Sequence, residues 1–442
     1  MTATFLTAQD ANWNLERGAF NLLVDQQPAG IAVPRNADEV SAVVRSAAAD
    51  GKRIAAQCTG HNAIPLGSLA DTVLLRTAGL GGVEIDADAR TARVGAGALW
   101  GDLVSQASEQ GLAALHGSAP NVGIIGYTLG GGVSFYARKH GLACNRVTAI
   151  EAVTAGGEQL RVDAENEPDL FWALRGGGGS FGVVTACEFD LLPLREIFAG
   201  ALLFSAEQTS EVLQGWREWT AEAPEEMTSV GRLMNFPPIP EVPEPVRGKS
   251  FAVLEVIYCG DPADGEELVA PLRELGSADM DTIQTQPPAG IEDLHMDPPA
   301  PVPYTSETLL TQDLSVEAIE SLVEAVGPGS GSQLASVELR HCGGALSRAP
   351  QEAGALATLP GSFLAFGVGF VPVPEATAPN RAWLGAFKAA LEPYDAGRYF
   401  NFVEETFDIT KIFPPEVLDR LREVKQRYDP DNVFHSNHPV TG

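Results

Sequence analysis

Hydrophobic positions recur in two rhythms along this chain. At 34–50 Val40, Val43, Val44 and Ala47 follow Asn36 and Asp38 at helical spacing, which predicts a capped helix. A shorter helix is predicted at 14–24. Strand-like runs follow at 54–57, 72–75, 82–86 and 91–95, then a second full helix at 99–110, stopped by Gly111. Beyond a glycine-dense stretch at 117–141, two strands are predicted at 147–154 and 159–162, around a Gly156-Gly157 turn. The character changes near Leu194. From there strand candidates at 199–205, 249–258, 333–340 and 363–371 mix with amphipathic helices at 210–223, 262–275, 315–326 and 381–391. That mixture predicts an α+β unit, an antiparallel sheet covered by helices on one face.

Length adds a constraint. At 442 residues the chain exceeds one comfortable core, so two domains are expected. The formal charge of -29 argues against a nucleic-acid surface, which needs clustered cations, and would repel an anionic membrane. The apolar stretch at 363–373 is too short to span a bilayer. Five scattered cysteines show neither zinc-ligand spacing nor a disulfide framework, and reduced thiols in a cytoplasm fit best. No basic, apolar leader is read at the start of the chain. The expectation is a soluble cytoplasmic protein without nucleic-acid or membrane partners.

Candidate chemistry concentrates in two stretches. Gln57-Cys58-Thr59-Gly60-His61-Asn62 follows a strand, and its small residues let backbone amides approach an anion closely. The second stretch runs from His116 to Gly132. Glycines at 117, 123, 126 and 130–132 strip side chains from one ribbon of backbone, as a pyrophosphate cradle requires. Two commoner nucleotide signatures fail. Gly95-x-Gly97 is followed by Gly101 one residue too late and sits after a hairpin pattern, and Gly248-Lys249-Ser250 lacks the upstream glycine of a P-loop.

The ordered set of Gly60-His61, Val94-Gly95-x-Gly97-x-Leu-Trp100-x-Asp102-Leu103, the glycine ribbon, His140-Gly-Leu-Ala143, Asp169-Leu-Phe-Trp-Ala-Leu-Arg-Gly-Gly-Gly-Gly-x-Phe-Gly-Val-Val-Thr185 and Tyr428-Asp-Pro-x-Asn-x-Phe434-x-x-Asn437 resembles a known family. It looks like the FAD-linked oxidases of the vanillyl-alcohol-oxidase superfamily, in the berberine-bridge-enzyme-like branch, of the 6-hydroxy-D-nicotine oxidase type. The resemblance implies a PCMH-type FAD-binding domain at 1–195, a substrate domain at 196–395, and a C-terminal segment, 396–442, returning to the first. It also implies FAD joined through His61. Ala119 stands where bicovalent members carry a cysteine, so no second link is expected. By the same resemblance the cofactor is expected to meet Cys58, Thr59, Gly60 and Asn62 in the loop. In the ribbon it would meet Gly117, Ser118, Val122, Gly123, Gly126, Tyr127, Gly130, Gly131 and Gly132, and beyond it Gly141, Gly182, Val184 and Asn437. Two positions depart from the family pattern: Gln57 replaces the usual arginine ahead of the histidine, and Asn145 the common aspartate.

The resemblance places Tyr399, in Tyr-Phe-Asn-Phe402, as the group that takes the substrate's heteroatom proton. Polar strand positions of the second domain are expected to line the substrate face of its sheet. Period-two spacing puts Glu338 and Arg340 on one face, whereas Glu255 and Tyr258, three apart, point to opposite faces; the ring of Tyr258 suits a half-apolar cleft better. Glu338 and Tyr258 therefore join Tyr399 as catalytic candidates. The implied reaction is oxidation of an alcohol or sugar, or of a cyclic amine of secondary metabolism, by hydride transfer to the flavin, with dioxygen as acceptor. A dehydrogenase using another acceptor and a catalytically silent flavin-fold binding protein are the alternatives.

Overall fold

A computed structural model describes residues 3–240 and 242–440. Three sheets organise them. In the first, Thr4–Leu6 pairs antiparallel with Gly30–Val33, and Thr72–Arg76 then runs parallel to both Gly30–Val33 and Arg53–Gln57. Helix Ala37–Ala49 makes the crossover; the Asn36 side chain caps it by accepting the Glu39 N–H at 2.9 Å. The second sheet is antiparallel throughout, in the order Val83–Asp86, Thr91–Gly95, Val183–Asp190, Val147–Val153, Gln159–Val162. These two sheets and helix Trp100–Glu109 share one core.

The third sheet has nine antiparallel strands, with Ile197–Ser205, Ser250–Tyr258, Met227–Asn235, Ser336–His341, Phe363–Phe370 and Tyr304–Thr311 as consecutive neighbours. Helices Thr209–Thr220, Pro262–Arg273, Val316–Val326 and Thr377–Leu391 pack their apolar stripes on one of its faces around Trp216, Leu254 and Phe387. Cross-strand register fixes the other face. Glu338 stands opposite both Arg232 and Phe366, and Ser336 opposite Val368, so these side chains share the side away from the helices.

Most predicted elements are present within a few residues. The helix predicted at 14–24 shrinks to Trp13–Glu16, because Gly18 follows at once and Leu15, Leu22 and Leu23 remain exposed instead of forming a buried stripe. Strands Met227–Asn235 and Tyr304–Thr311 and helix Pro415–Tyr428 were not predicted.

Candidate active site

A cavity of about 400 Å³ lies between the glycine ribbon and the helix-free face of the large sheet. Its floor begins where strand Arg53–Gln57 ends. The chain turns at Gly60 (φ +80°), where a Cβ would fall 2.8 Å from the Gln57 side chain. The turn presents His61. Its ring stacks on Phe20 with centroids 3.8 Å apart, and Thr59 Oγ1 lies 2.8 Å from Nδ1. His61 Nε2 is buried and has no partner, and burial holds the ring's pKa down at about 4, so it is a neutral imidazole at physiological pH.

The ribbon supplies the next wall. At Gly117, Gly123 and Gly130 the space a Cβ would need is filled by Tyr127, Cys58 and Asn401, so these glycines let the cradle's own parts close up. Gly126 and Gly179 differ: a Cβ at either would meet nothing within 4 Å, and both line the cavity. There the missing side chain leaves room for a bound group. Of the residues expected at the cofactor, Cys58, Thr59, Gly60, His61 and Asn62 line the cavity, as do Gly117, Ser118, Val122, Gly123, Gly126, Tyr127 and Gly130, and also Gly182, Val184 and Asn437. Gly131, Gly132 and Gly141 do not. They stand behind the wall at φ +108°, +80° and +77°, where their freedom serves turns packed on Leu356, on Ala143 and near Ala345.

The two departures from the family pattern have structural work. The side chains of Gln57 and Gln26 exchange hydrogen bonds, and Gln57 Nε2 also donates to the Gly18 carbonyl. Asn145 donates to the carbonyls of Leu356 and Ala357 and accepts from Gly354 N–H at 2.8 Å.

The opposite wall is charged. Arg232 Nη1 donates to Glu255 Oε1 at 2.5 Å, His295 bridges Glu255 and Glu338 at 2.7 Å on each side, and Arg340 Nη2 reaches Glu338 Oε1 at 3.3 Å. Glu338, Arg340 and His295 line the cavity. Burial works to raise the Glu338 carboxyl, but the Arg340 and His295 charges outweigh it and hold the pKa at about 2. His295 shows the converse: burial and Arg232 oppose its charge, the two glutamates prevail, and its pKa rises to about 9. Of the pair Glu255 and Tyr258, the sheet turns Glu255 towards this network. Tyr258 lies on the helix side, in a separate pocket with Trp219 and Leu268, because three residues along a strand invert the face. The preference for Tyr258 is therefore corrected.

Tyr399 lines the cavity with its hydroxyl oxygen accepting from Val133 N–H and from Asn401 Nδ2, both at 2.9 Å. Burial raises its pKa well above the usual phenol range. It is therefore a proton donor at neutral pH. Glu404 was not anticipated. It lines the cavity, accepts from Tyr304 Oη at 2.5 Å and Ser306 Oγ at 2.8 Å, and burial raises its pKa to about 7 against those two bonds. Nothing in the sequence separates Glu404 from its exposed neighbour Glu405, although both follow the Tyr399 motif closely. His295 and Asp297 were missed too, since they belong to a proline-flanked loop without periodicity.

The unpartnered His61 nitrogen and the open glycine cradle fit a large planar cofactor with an anionic tail. Comparison with known proteins agrees. The family model described as "FAD binding domain" matches residues 28–163, and that described as "Berberine and berberine like" matches 398–441. (R)-6-hydroxynicotine oxidase from Paenarthrobacter nicotinovorans is 31% identical over 432 residues, 94% of this chain and 91% of that protein. The solved structure of Physcomitrella patens BBE-like 1 superposes with a TM-score of 0.85 at 21% identity, covering 100% of this chain and 97% of that one. Glucooligosaccharide oxidase from Acremonium strictum, whose structure is described as holding cysteinyl and histidyl FAD, gives 0.81 at 24% identity over 99% of this chain and 97% of that one. Among the described residues, no helix is long and apolar enough to cross a membrane.

Proposed function

The chain belongs to the berberine-bridge-enzyme-like branch of the PCMH-type FAD-linked oxidoreductases, and from that membership we propose that it oxidises a small organic alcohol, sugar or cyclic amine, with dioxygen as acceptor. The observation that carries this reading is the cavity itself, which sets His61 and the open glycine cradle against a buried row of ionisable groups. In this reading 1–195 and 396–442 hold the cofactor and 196–395 covers the substrate.

When bound, FAD supplies two-electron oxidation, accepting hydride from a carbon that bears OH or NH. His61 would hold the flavin through a ring nitrogen of its neutral imidazole, of which Nε2 is the one left without a partner. With alanine at 119 this is the one covalent link. The Gly126 and Gly179 backbone would lie along its anionic part. Glu404 takes the substrate's heteroatom proton: its pKa near 7 matches that task, whereas Glu338 is too firmly ionised and Tyr399 too firmly protonated. Tyr399, its oxygen held by Val133 N–H and Asn401, would donate a hydrogen bond to the substrate, and Glu338 holds His295 and Arg340 in place on the opposite wall.

Acid precipitation of the purified protein tests the reading. A yellow pellet carrying the added mass of FAD, lost in His61→Ala, is expected. Bleaching of that colour by a panel of alcohols, sugars and amines without oxygen, and its return with oxygen, would complete the assignment. Return only with an artificial electron acceptor would make the protein a dehydrogenase. A flavin that no compound bleaches would make it a binding protein.

A further inference from the structure

The large sheet buries two arginines on its cavity side, and the protein treats them differently. Arg232 is engaged by the Glu255 carboxylate, the His295 carbonyl at 2.8 Å and Ser336 Oγ at 3.1 Å. Arg340, only 2% exposed, makes one hydrogen bond, the 3.3 Å contact with Glu338. That carboxylate is shared, since its other oxygen is held by His295. The Nε of each arginine is without a partner, so the difference lies in the Nη donors, for which Arg232 finds three acceptors and Arg340 one. A guanidinium carries five donors in a rigid fork, and burying them unmet is costly, so a buried arginine normally finds acceptors.

What Arg340 does face is the cavity. Its guanidinium lies 5.1 Å from the Phe135 ring centroid and 5.8 Å from that of Phe402, aromatic neighbours that offer its donors no acceptor oxygen. Along the same sheet face the wall continues through Phe366, Val368 and Phe370, all apolar, with Phe370 partly exposed at its far end. The opening is thus apolar along Phe366, Val368 and Phe370, and at its deep end Arg340 stands beside Glu338 and His295.

We propose that Arg340 anchors an anion subsite, and that the substrate carries a carboxylate or similar planar oxyanion on an apolar or aromatic body. The fork of the guanidinium matches a carboxylate in two parallel hydrogen bonds, and the Phe366–Phe370 wall covers the body. Glu338, already shared, cannot fill that role. Its charge limits the subsite to ligands that meet Arg340 from the cavity side. This subsite rests on the oxidoreductase reading above.

Benzoate and benzamide, alike in shape and differing in charge, are the probes. Each is titrated into the FAD-loaded protein while the flavin absorption spectrum is followed. Benzoate is expected to perturb the spectrum saturably and to bind at least tenfold more tightly than benzamide. Arg340→Gln should remove that preference by weakening benzoate at least tenfold, and Arg340→Lys should restore part of it. Equal binding of the two probes, or no benzoate binding to a protein with a normal flavin spectrum, would overturn the subsite while leaving the oxidoreductase reading intact. So would an Arg340→Gln protein that binds benzoate unchanged but has an altered ligand-free flavin spectrum, since the open donors would then belong to the cofactor. Should Arg340→Gln fail to fold, the comparison of the probes on the wild-type protein still decides. A protein that takes up no FAD would overturn the underlying reading and the subsite together.

Discussion

His295 and Glu338 meet at 2.7 Å through the imidazole Nε2, while the other ring nitrogen holds Glu255 at the same distance. One side chain from a proline-flanked loop thereby ties two strands of the sheet. The same loop reaches the glycine ribbon, where Asp297 accepts from Ser118 Oγ at 2.6 Å and the Pro298 carbonyl from Asn121 Nδ2 at 3.0 Å.

Stability should follow the charge of His295. Its folded pKa, about 9, lies above the ordinary value of 6.5, so its contribution is complete below pH 6.5 and is lost as pH rises through 9. Thermal melting of the wild type and of His295→Gln between pH 6 and 10 reads this. The gap between them should be widest at pH 6, on the order of 3 kcal/mol for a broken buried pair, and should narrow on the alkaline side.

Glu404 sets a second pH dependence, with the opposite sense. The group accepts protons when ionised, so flavin reduction by substrate should accelerate as pH rises through about 7. In Glu404→Gln that limb should vanish, with the rate reduced about 10²–10⁴-fold. Stopped-flow reduction across pH 5–9 measures both effects.

His61→Ala should leave the fold intact, because it removes only the local contact with Thr59 Oγ1 and the stack on Phe20. The flavin should then appear in the supernatant of an acid precipitation. Unchanged retention of colour in the pellet would refute a link at this residue.

Tyrosines 258 and 399 make a matched pair. Tyr258→Phe should leave turnover within twofold, since the ring sits in the helix-side pocket. Tyr399→Phe should slow turnover and also destabilise the chain by about 1–3 kcal/mol, because the buried Val133 N–H loses its acceptor. Parallel melting curves and rates separate the two outcomes.

Much of the molecule was legible beforehand because its signals are local. Helix caps, alternating strands and the glycine ribbon each lie within a few consecutive residues, and almost all fell where expected. The charged wall was legible only in part. Period two put Glu338 and Arg340 on one face, whereas Arg232 and His295 come from other segments and each reads alone as an ordinary polar position. Period two told which side chains oppose one another, but only the helices covering one face decide which side is the cavity. That is why Glu255 and Tyr258 were separated correctly and then chosen wrongly. The glycines misled for a related reason: Gly131, Gly132 and Gly141 share the pattern of the cradle, but their positive φ values serve turns behind it.

Asn62, beside His61, donates to the carbonyls of Asn401 and Val403 and accepts from Asn437. These bonds span 339 to 375 residues of chain. On a ribosome the two halves of that contact are synthesised many seconds apart, at roughly 5–20 residues per second. The histidine loop is therefore made early, but its bonds to Asn401, Val403 and Asn437 can form only after the final segment has emerged.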